Sequence, residues 1–463
     1  VEDADPVVGV WGVAGTHPSN ENSLDRQIWA LAGPAVLTLA SEPLYLLADT
    51  AIVGRIGIDA LGGLAVATAV LLFATGMLIF LTFGTAATVA RLLGAGEPTE
   101  AAEQSVQGLW LGLGLGVLVA LVLAAGSSWL LGLFGATEDV IDSARTYLTV
   151  SLWGLPAVTV ALAGTGALRG HLDTRTPLVV AVSTNTLNVT LTSVLVLVFD
   201  AGIAGAAWGT VVAKSTAAIA YTWIVLRLAV RNSVGLAPRW GRIRSLAVVG
   251  RDLFVRTVAL RASLTITVAL AARKGTVALA AFQVAFQWWA SLAYVLDALE
   301  AAAQSLVAKA LGAHDAVLAR ATSRRIVGWA VGLGVGLGSL TALLSPLIAR
   351  AFTDDPAVID LLVVSLLWVG LTQPINAVAF ALDGILVGAG DQSYLAIAML
   401  ASLAVMVLGA FAVAPQSVGL WGLWGLLAVF MGSRVVLLGV RYRGDRWMHV
   451  GSAMPTGSLR RTR

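Results

Sequence analysis

The nonapeptide VARLLGAGE at residues 89–97 returns as VAKALGAHD at 307–315, an offset of 218 residues. Two more stretches repeat at that spacing. RIGIDALGGLAVA at 55–67 lies over RKGTVALAAFQVA at 273–285, and GALRGHLDTRTPL at 166–178 lies over GILVGAGDQSYLA at 384–396, with Gly, Leu, Gly and Asp in register. Three separate matches at one offset mark an internal duplication, so the chain reads as two copies of one unit.

The material between the repeats says what kind of unit this is. Of 463 residues, 58% are hydrophobic and only 12% charged, about half the charged share of an ordinary soluble domain. Runs close to the roughly 20 apolar residues that cross a hydrocarbon core begin near 27, 60, 106, 146, 177, 203, 252, 278, 326, 358, 393 and 418. Six crossings per copy is an even number, so the second copy starts on the same side as the first and the copies are parallel repeats about an axis along the membrane normal. The expected fold is therefore an all-α integral membrane protein, with twelve transmembrane helices in two parallel six-helix lobes around a central cavity. The expected division is a flexible tail at 1–22, an N-lobe at 23–228, a basic connector at 229–251, a C-lobe at 252–440 and a basic tail at 441–463.

Several chemistries are excluded by what is missing. There is no cysteine, hence no disulfide, thiolate metal site or Cys nucleophile, and histidines at 17, 171, 314 and 449 have no zinc-ligand spacing. The first 22 residues lack a basic segment followed by an apolar core, so they do not read as a signal peptide. A net charge of +3 is no pointer to nucleic acid, because the basic residues fall in short connectors rather than along one face. Arg91, Arg169, Arg175, Arg239, Arg242, Arg244, Lys309, Arg320, Arg441 and Arg443 follow even-numbered spans, which places both termini in the cytoplasm. A plasma-membrane monomer is expected.

Within the repeat, LGLGLG at 111–116 and VGLGVGLG at 331–338 occupy corresponding spans and read as close helix packing, not as a phosphate loop, since no Lys follows. The asymmetric positions carry the functional signal. Asp49 falls opposite Thr267, and Asp297 and Glu300 fall opposite Ile79 and Thr82, so each lobe owns different acids. An ionised carboxylate at mid-membrane costs at least ~3 kcal/mol and persists where it meets water, a partner or a transported ion. Glu42 and Asp49 are seven residues apart and share a helix face. One reading makes them a protonation site. The other pairs them structurally with Lys214 or Arg261.

The segments GPAVLTLASEPLYLLADTAIVGRIGIDALGGLAV, NVTLTSVLVLVFDAGIAGAAWGT, RKGTVALAAFQVAFQWWASLAYVLDALEAAAQSLVAKALGAHD and ALDGILVGAGDQSYLAIAM resemble the multidrug and toxic compound extrusion (MATE) transporters, the DinF-like branch in particular. The resemblance runs from about 24 to 440. It implies export of amphipathic organic cations in exchange for protons or sodium, with no cofactor beyond that coupling ion. By the same resemblance Asp49 matches the first-span acid proposed to take up the proton, and Pro34 matches the proline at which that helix is proposed to bend. Tyr147, Asn188 and Thr210 match polar positions around the acid, and Asp383 matches an acidic C-lobe position. The chain departs where relatives carry Asn-x-x-x-Asp: here Asn188 is followed by Thr192, so a second N-lobe acid would have to be Glu42. Glu300 also stands where a small or apolar residue is commoner.

Tyr45, Trp153, Phe286, Trp288 and Trp368 are candidates for walls that hold a flat lipophilic cation, with packing or lipid-facing roles as the alternative. Two other classes compete with an antiporter. A flippase for a lipid-linked precursor needs a strongly cationic cavity, and a membrane enzyme would need Asp297, Glu300 and Asp383 to hold a metal, for which no motif is present.

Overall fold

The computed structural model describes residues 21–415 and 417–453. Residues 1–20, and with them most of the expected N-terminal tail, lie outside the described residues, as do 454–463 of the C-terminal one. Among the described residues, twelve helical segments are long and apolar enough to cross a membrane. In the N-lobe these are α1 (Glu21–Val53), α2 (Ile58–Met77) continued by α3 (Phe80–Gly94), α4 (Pro98–Gly132), α5 (Glu138–Ser151) continued by α6 (Leu155–Gly170), α7 (Arg175–Ser193) and α8 (Gly202–Arg231). The C-lobe has α9 (Trp240–Ala272), α10 (Thr276–Gly312), α11 (Ala316–Phe352), α12 (Pro356–Ala389), α13 (Gln392–Val413) and α14 (Leu420–Arg443). Of the connector expected at 229–251, only 232–239 is non-helical. The tail expected from 441 begins as the last turn of α14.

The duplication is visible in the backbone. Left-handed φ values recur at the offset: Gly96 (76°) with His314 (59°), and Leu172 (61°) with Gly390 (84°). Each pair sits in the tight turn after a helix, where the chain reverses and a residue must enter the left-handed region. One break is not repeated. The second span is interrupted at Leu78, whereas α10 runs unbroken through the corresponding Leu296.

Because the chain crosses an even number of times, α1 starts and α14 ends on one side, here called the terminal end. The lobes are fastened there. A Cβ added at Gly94 would strike the Lys309 carbonyl, and one added at Gly312 would strike the Arg91 carbonyl. These residues exchange places under the 218-residue offset, so the seam is a reciprocal glycine contact about the pseudo-twofold axis. Around it, Arg325 grips Asp25 through Nε and Nη2, both at 2.6 Å, and Trp329 Nε1 donates to the same carboxylate at 2.7 Å. Gln304 Nε2 donates to the Phe83 carbonyl.

The chain after α14 folds back across this seam. Arg91, fully buried on the N-lobe side, donates through Nη1 to the Ala389 carbonyl at 2.9 Å, through Nε to that of Gly451 at 2.6 Å, and through Nη2 to that of His449. Trp447 is buried, and Gly451 N donates to the Leu311 carbonyl at 3.0 Å. His171, in the turn after α6, is buried as well, and burial holds its pKa down to about 4.

Candidate functional site

The N-lobe site is assembled by α1, α5, α7 and α8. Asp49, one turn before the end of α1, is 2% exposed. The hydroxyls of Thr192 on α7 and Tyr147 on α5 stand beside its carboxyl, and no cation acts on it. One turn earlier on α7, Asn188 donates through Nδ2 to Thr210 Oγ1 on α8 at 3.0 Å. Asp49 Oδ1, Thr192 Oγ1 and Asn188 Oδ1 are all buried without a hydrogen-bond partner. Buried acceptors are rarely left unsatisfied, and these three oxygens, one of them the carboxylate's, form a set that a proton or a small cation completes. Tyr147, Asn188 and Thr210, the polar positions matched around the acid, are thus brought together with Thr192.

Glu42 is placed differently. Its side chain is 52% exposed and pairs with Lys214 Nζ at 3.4 Å, while the Lys214 ammonium lies 4.6 Å from the centre of the Tyr45 ring. Seven residues put Glu42 and Asp49 on one face, yet at different depths, so Lys214 reaches only the first. The pairing reading holds for Glu42 and fails for Asp49. Glu42 instead looks across the seam, where its charge reaches Tyr294 on α10 together with those of Asp297 and Arg261. Pro34 lies within a helix that continues through both it and Pro43, and Thr38 Oγ1 donates to the Pro34 carbonyl at 2.9 Å.

The C-lobe acids are pinned rather than free. Arg256 on α9 donates to Asp383 at 2.9 Å and to Glu300 at 3.3 Å, and Arg434 on α14 also donates to Asp383. All four side chains are buried. Asp297 lies within the field of Arg256, Arg434 and Arg169, the last contributed by α6 of the other lobe. Three acids and three arginines therefore meet at the lobe seam. Among the described residues no group of His, Cys, Asp or Glu has the arrangement of a metal site.

These arginines correct the expectation that basic residues keep to connectors. Arg91, Arg169, Arg256 and Arg434 are buried inside the bundle. A sequence signal existed for Arg256 and Arg434: each stands inside an apolar span, where an arginine needs a buried acid, and Asp383 on α12 is one.

The five aromatic candidates do not converge. Tyr45 is buried beside Lys214. Phe286 stacks between Phe282 and Trp289 at 5.5 and 5.6 Å, Trp288 Nε1 donates to Thr341 Oγ1 at 3.2 Å, and Trp368 packs on the same C-lobe core. Trp153 is 75% exposed, in a groove with Trp110 and Trp223 on the outer wall of the N-lobe. It faces away from the Asp49 side of α8, because the groove is lined by Ser215, Ile219 and Thr222, on the opposite face from Thr210 and Lys214.

The MatE family model matches twice, at residues 34–194 and 254–412, one match per repeat. Protein DETOXIFICATION 44, chloroplastic, of Arabidopsis thaliana is 32% identical over 429 residues, covering 89% of this chain and 81% of its own length. DNA damage-inducible protein F of Escherichia coli K12 is 30% identical over 434 residues, covering 91% and 92% respectively. Among solved structures, a MATE crystal structure in the bent conformation superposes with a TM-score of 0.85 at 19% identity, over 92% of this chain and 95% of that one.

Proposed function

From the premise that this chain belongs to the MatE family of transporters, we propose that it is a secondary antiporter: it exports amphipathic organic cations across the plasma membrane, exchanging each for a proton or sodium ion taken up at Asp49. The observation that carries this is the contrast among buried acids. Asp383 and Glu300 are neutralised by arginines, whereas Asp49 is buried among neutral hydroxyls and amides with unsatisfied oxygens. Such a carboxylate is the group whose burial is least favourable when charged, so it gains most from binding a cation and loses that gain on release.

Exchange drives transport only if ion and substrate favour different lobe arrangements. The seam supplies a two-state element. With glycine contacts, the Asp25–Arg325 pair and the Arg91 bonds all fastened at the terminal end, the lobes are closed there, and on this reading the pathway opens to the opposite side. Loading Asp49 changes the packing of α1 against α7 and α10, the elements it touches in either lobe, and so biases the seam. With the termini cytoplasmic, this is the outward-facing arrangement. Lys214 is taken up by Glu42, and Arg256 and Arg434 by Asp383 and Glu300, which leaves no concentrated cationic site for the pyrophosphate of a flippase substrate and favours a cationic amphipath.

The deciding experiment is efflux of a fluorescent cation from proteoliposomes with pH and sodium gradients imposed separately. The gradient that drives efflux identifies the ion, and efflux driven by neither removes the antiporter reading.

A further inference from the structure

We propose that the outer wall of the N-lobe holds a specific site for an anionic phospholipid, separate from the transport pathway and independent of the antiporter reading. A groove of about 740 Å³ runs between α4, α6 and α8, walled by Trp110, Leu113, Trp153, Val160, Ile219 and Trp223. Its size falls within the roughly 300–1,000 Å³ of built ligand sites, and its lining is almost wholly apolar. On a membrane protein such a groove on the lipid-facing wall takes acyl chains.

What distinguishes it from ordinary lipid contact is how it ends. A second hollow of about 320 Å³ shares Trp223 and Leu226 with the groove and continues it toward the terminal end, past Arg227 and Arg231. Arg227 lies flat on the Trp223 ring, its guanidinium carbon 3.6 Å from the ring centre, which fixes the cation where tail space gives way to head-group space. An apolar channel running into a held guanidinium is complementary to two acyl chains under a phosphate and not to a zwitterion of no net charge. The rim at the terminal end is also built on the α4 side: Trp110 Nε1 donates to the Leu236 carbonyl at 2.9 Å, while Gln107 donates to the Ala237 carbonyl at 3.1 Å and accepts from Arg239 N at 2.8 Å. The inter-lobe connector is thereby bonded to the groove wall. A lipid seated there braces α4, α8 and the connector as one body.

Native mass spectrometry of the full chain in detergent tests this, titrating dioleoyl phosphatidylglycerol against dioleoyl phosphatidylcholine. Wild type should bind one phosphatidylglycerol with about tenfold preference, Arg227→Gln should lose most of that preference, and Arg227→Lys should keep most of it. Ala157→Trp, which fills the groove and leaves the arginines in place, should abolish the bound lipid. Equal retention of both lipids by wild type, or undiminished preference in Arg227→Gln, overturns the proposal. So does a second copy of the chain, instead of lipid, released by Ala157→Trp.

Discussion

The reciprocal glycine seam makes the sharpest demand on the molecule. In Gly312→Ala the new methyl would fall on the Arg91 carbonyl, and in Gly94→Ala on that of Lys309, in each case against backbone that cannot rotate away. Overpacking of this kind costs about 1–3 kcal/mol. Alanine also gains about 1 kcal/mol of helix propensity over glycine, but both lobe arrangements keep these helices, so that gain cancels from the difference between them. A net 2 kcal/mol charged to the terminal-closed state alone lowers its population relative to the alternative about 30-fold. The two sites share one seam and are not independent, so the double variant should shift the ratio by about 10² to 10³. The chain has no cysteine, so Thr99→Cys and Ala313→Cys, one exposed position per lobe at the terminal end, give a clean spin-label pair. Electron–electron resonance should show the short distance giving way to a longer one in Gly312→Ala and nearly vanishing in the double variant. Gly332→Ala, which meets nothing within 4 Å, is the control. An unchanged distance distribution in the double variant would refute the seam as the element that switches.

Other consequences follow from the same geometry. Asp49→Asn should abolish gradient-driven efflux while shifting thermal stability by less than about 2 kcal/mol, because no cation is left stranded; retained ion-driven efflux would exclude Asp49 as the coupling group. Asp383→Asn should instead destabilise by about 3–5 kcal/mol, since Arg256 and Arg434 lose their shared carboxylate, and this should appear as reduced folded yield in detergent. Arg91→Met should free the segment after α14, read as faster hydrogen exchange at 447–453 with little change in the α14 helix. His171 is held neutral by burial with its pKa near 4 against 6.5 when exposed. The folded state therefore binds fewer protons than the unfolded one in that window, so stability is full above about pH 6.5 and declines toward pH 4, by up to about 3 kcal/mol. His171→Gln should flatten the fall in melting temperature between pH 7 and 4.5.

Which parts of this were legible in the sequence depends on whether a property is local or shared. Span count, the duplication and its offset are written in periodic composition, and the left-handed turns at Gly96 and His314 lie inside one of the repeated stretches. Asp49 was legible because an acid in an apolar helix is costly wherever it sits. Its isolation from Lys214 was not, because a seven-residue spacing fixes a helix face but not depth relative to α8. The buried arginines were misread for a related reason: charge counting assigns Arg169 to a loop, while folding turns the last residue but one of α6 toward acids on α10. Aromatic residues were least legible, since Trp153 and Trp288 have the same composition around them and opposite surroundings in space.

The asymmetry between lobes then acquires a physical meaning. Two copies of one unit began with equivalent seams, and the seam has kept that equivalence in Gly94 and Gly312. The interiors have not. At the seam Asp297, Glu300 and Asp383 of the C-lobe meet Arg256, Arg434 and, from the other lobe, Arg169, so the ionisation of this cluster is set by lobe contact. In the N-lobe Asp49 is buried with no cation beside it, so its ionisation is set by what arrives from solution. A device that converts ion binding into lobe movement needs one group of each kind: a free carboxylate that senses the ion, and a charge cluster that is complete only while the lobes are together.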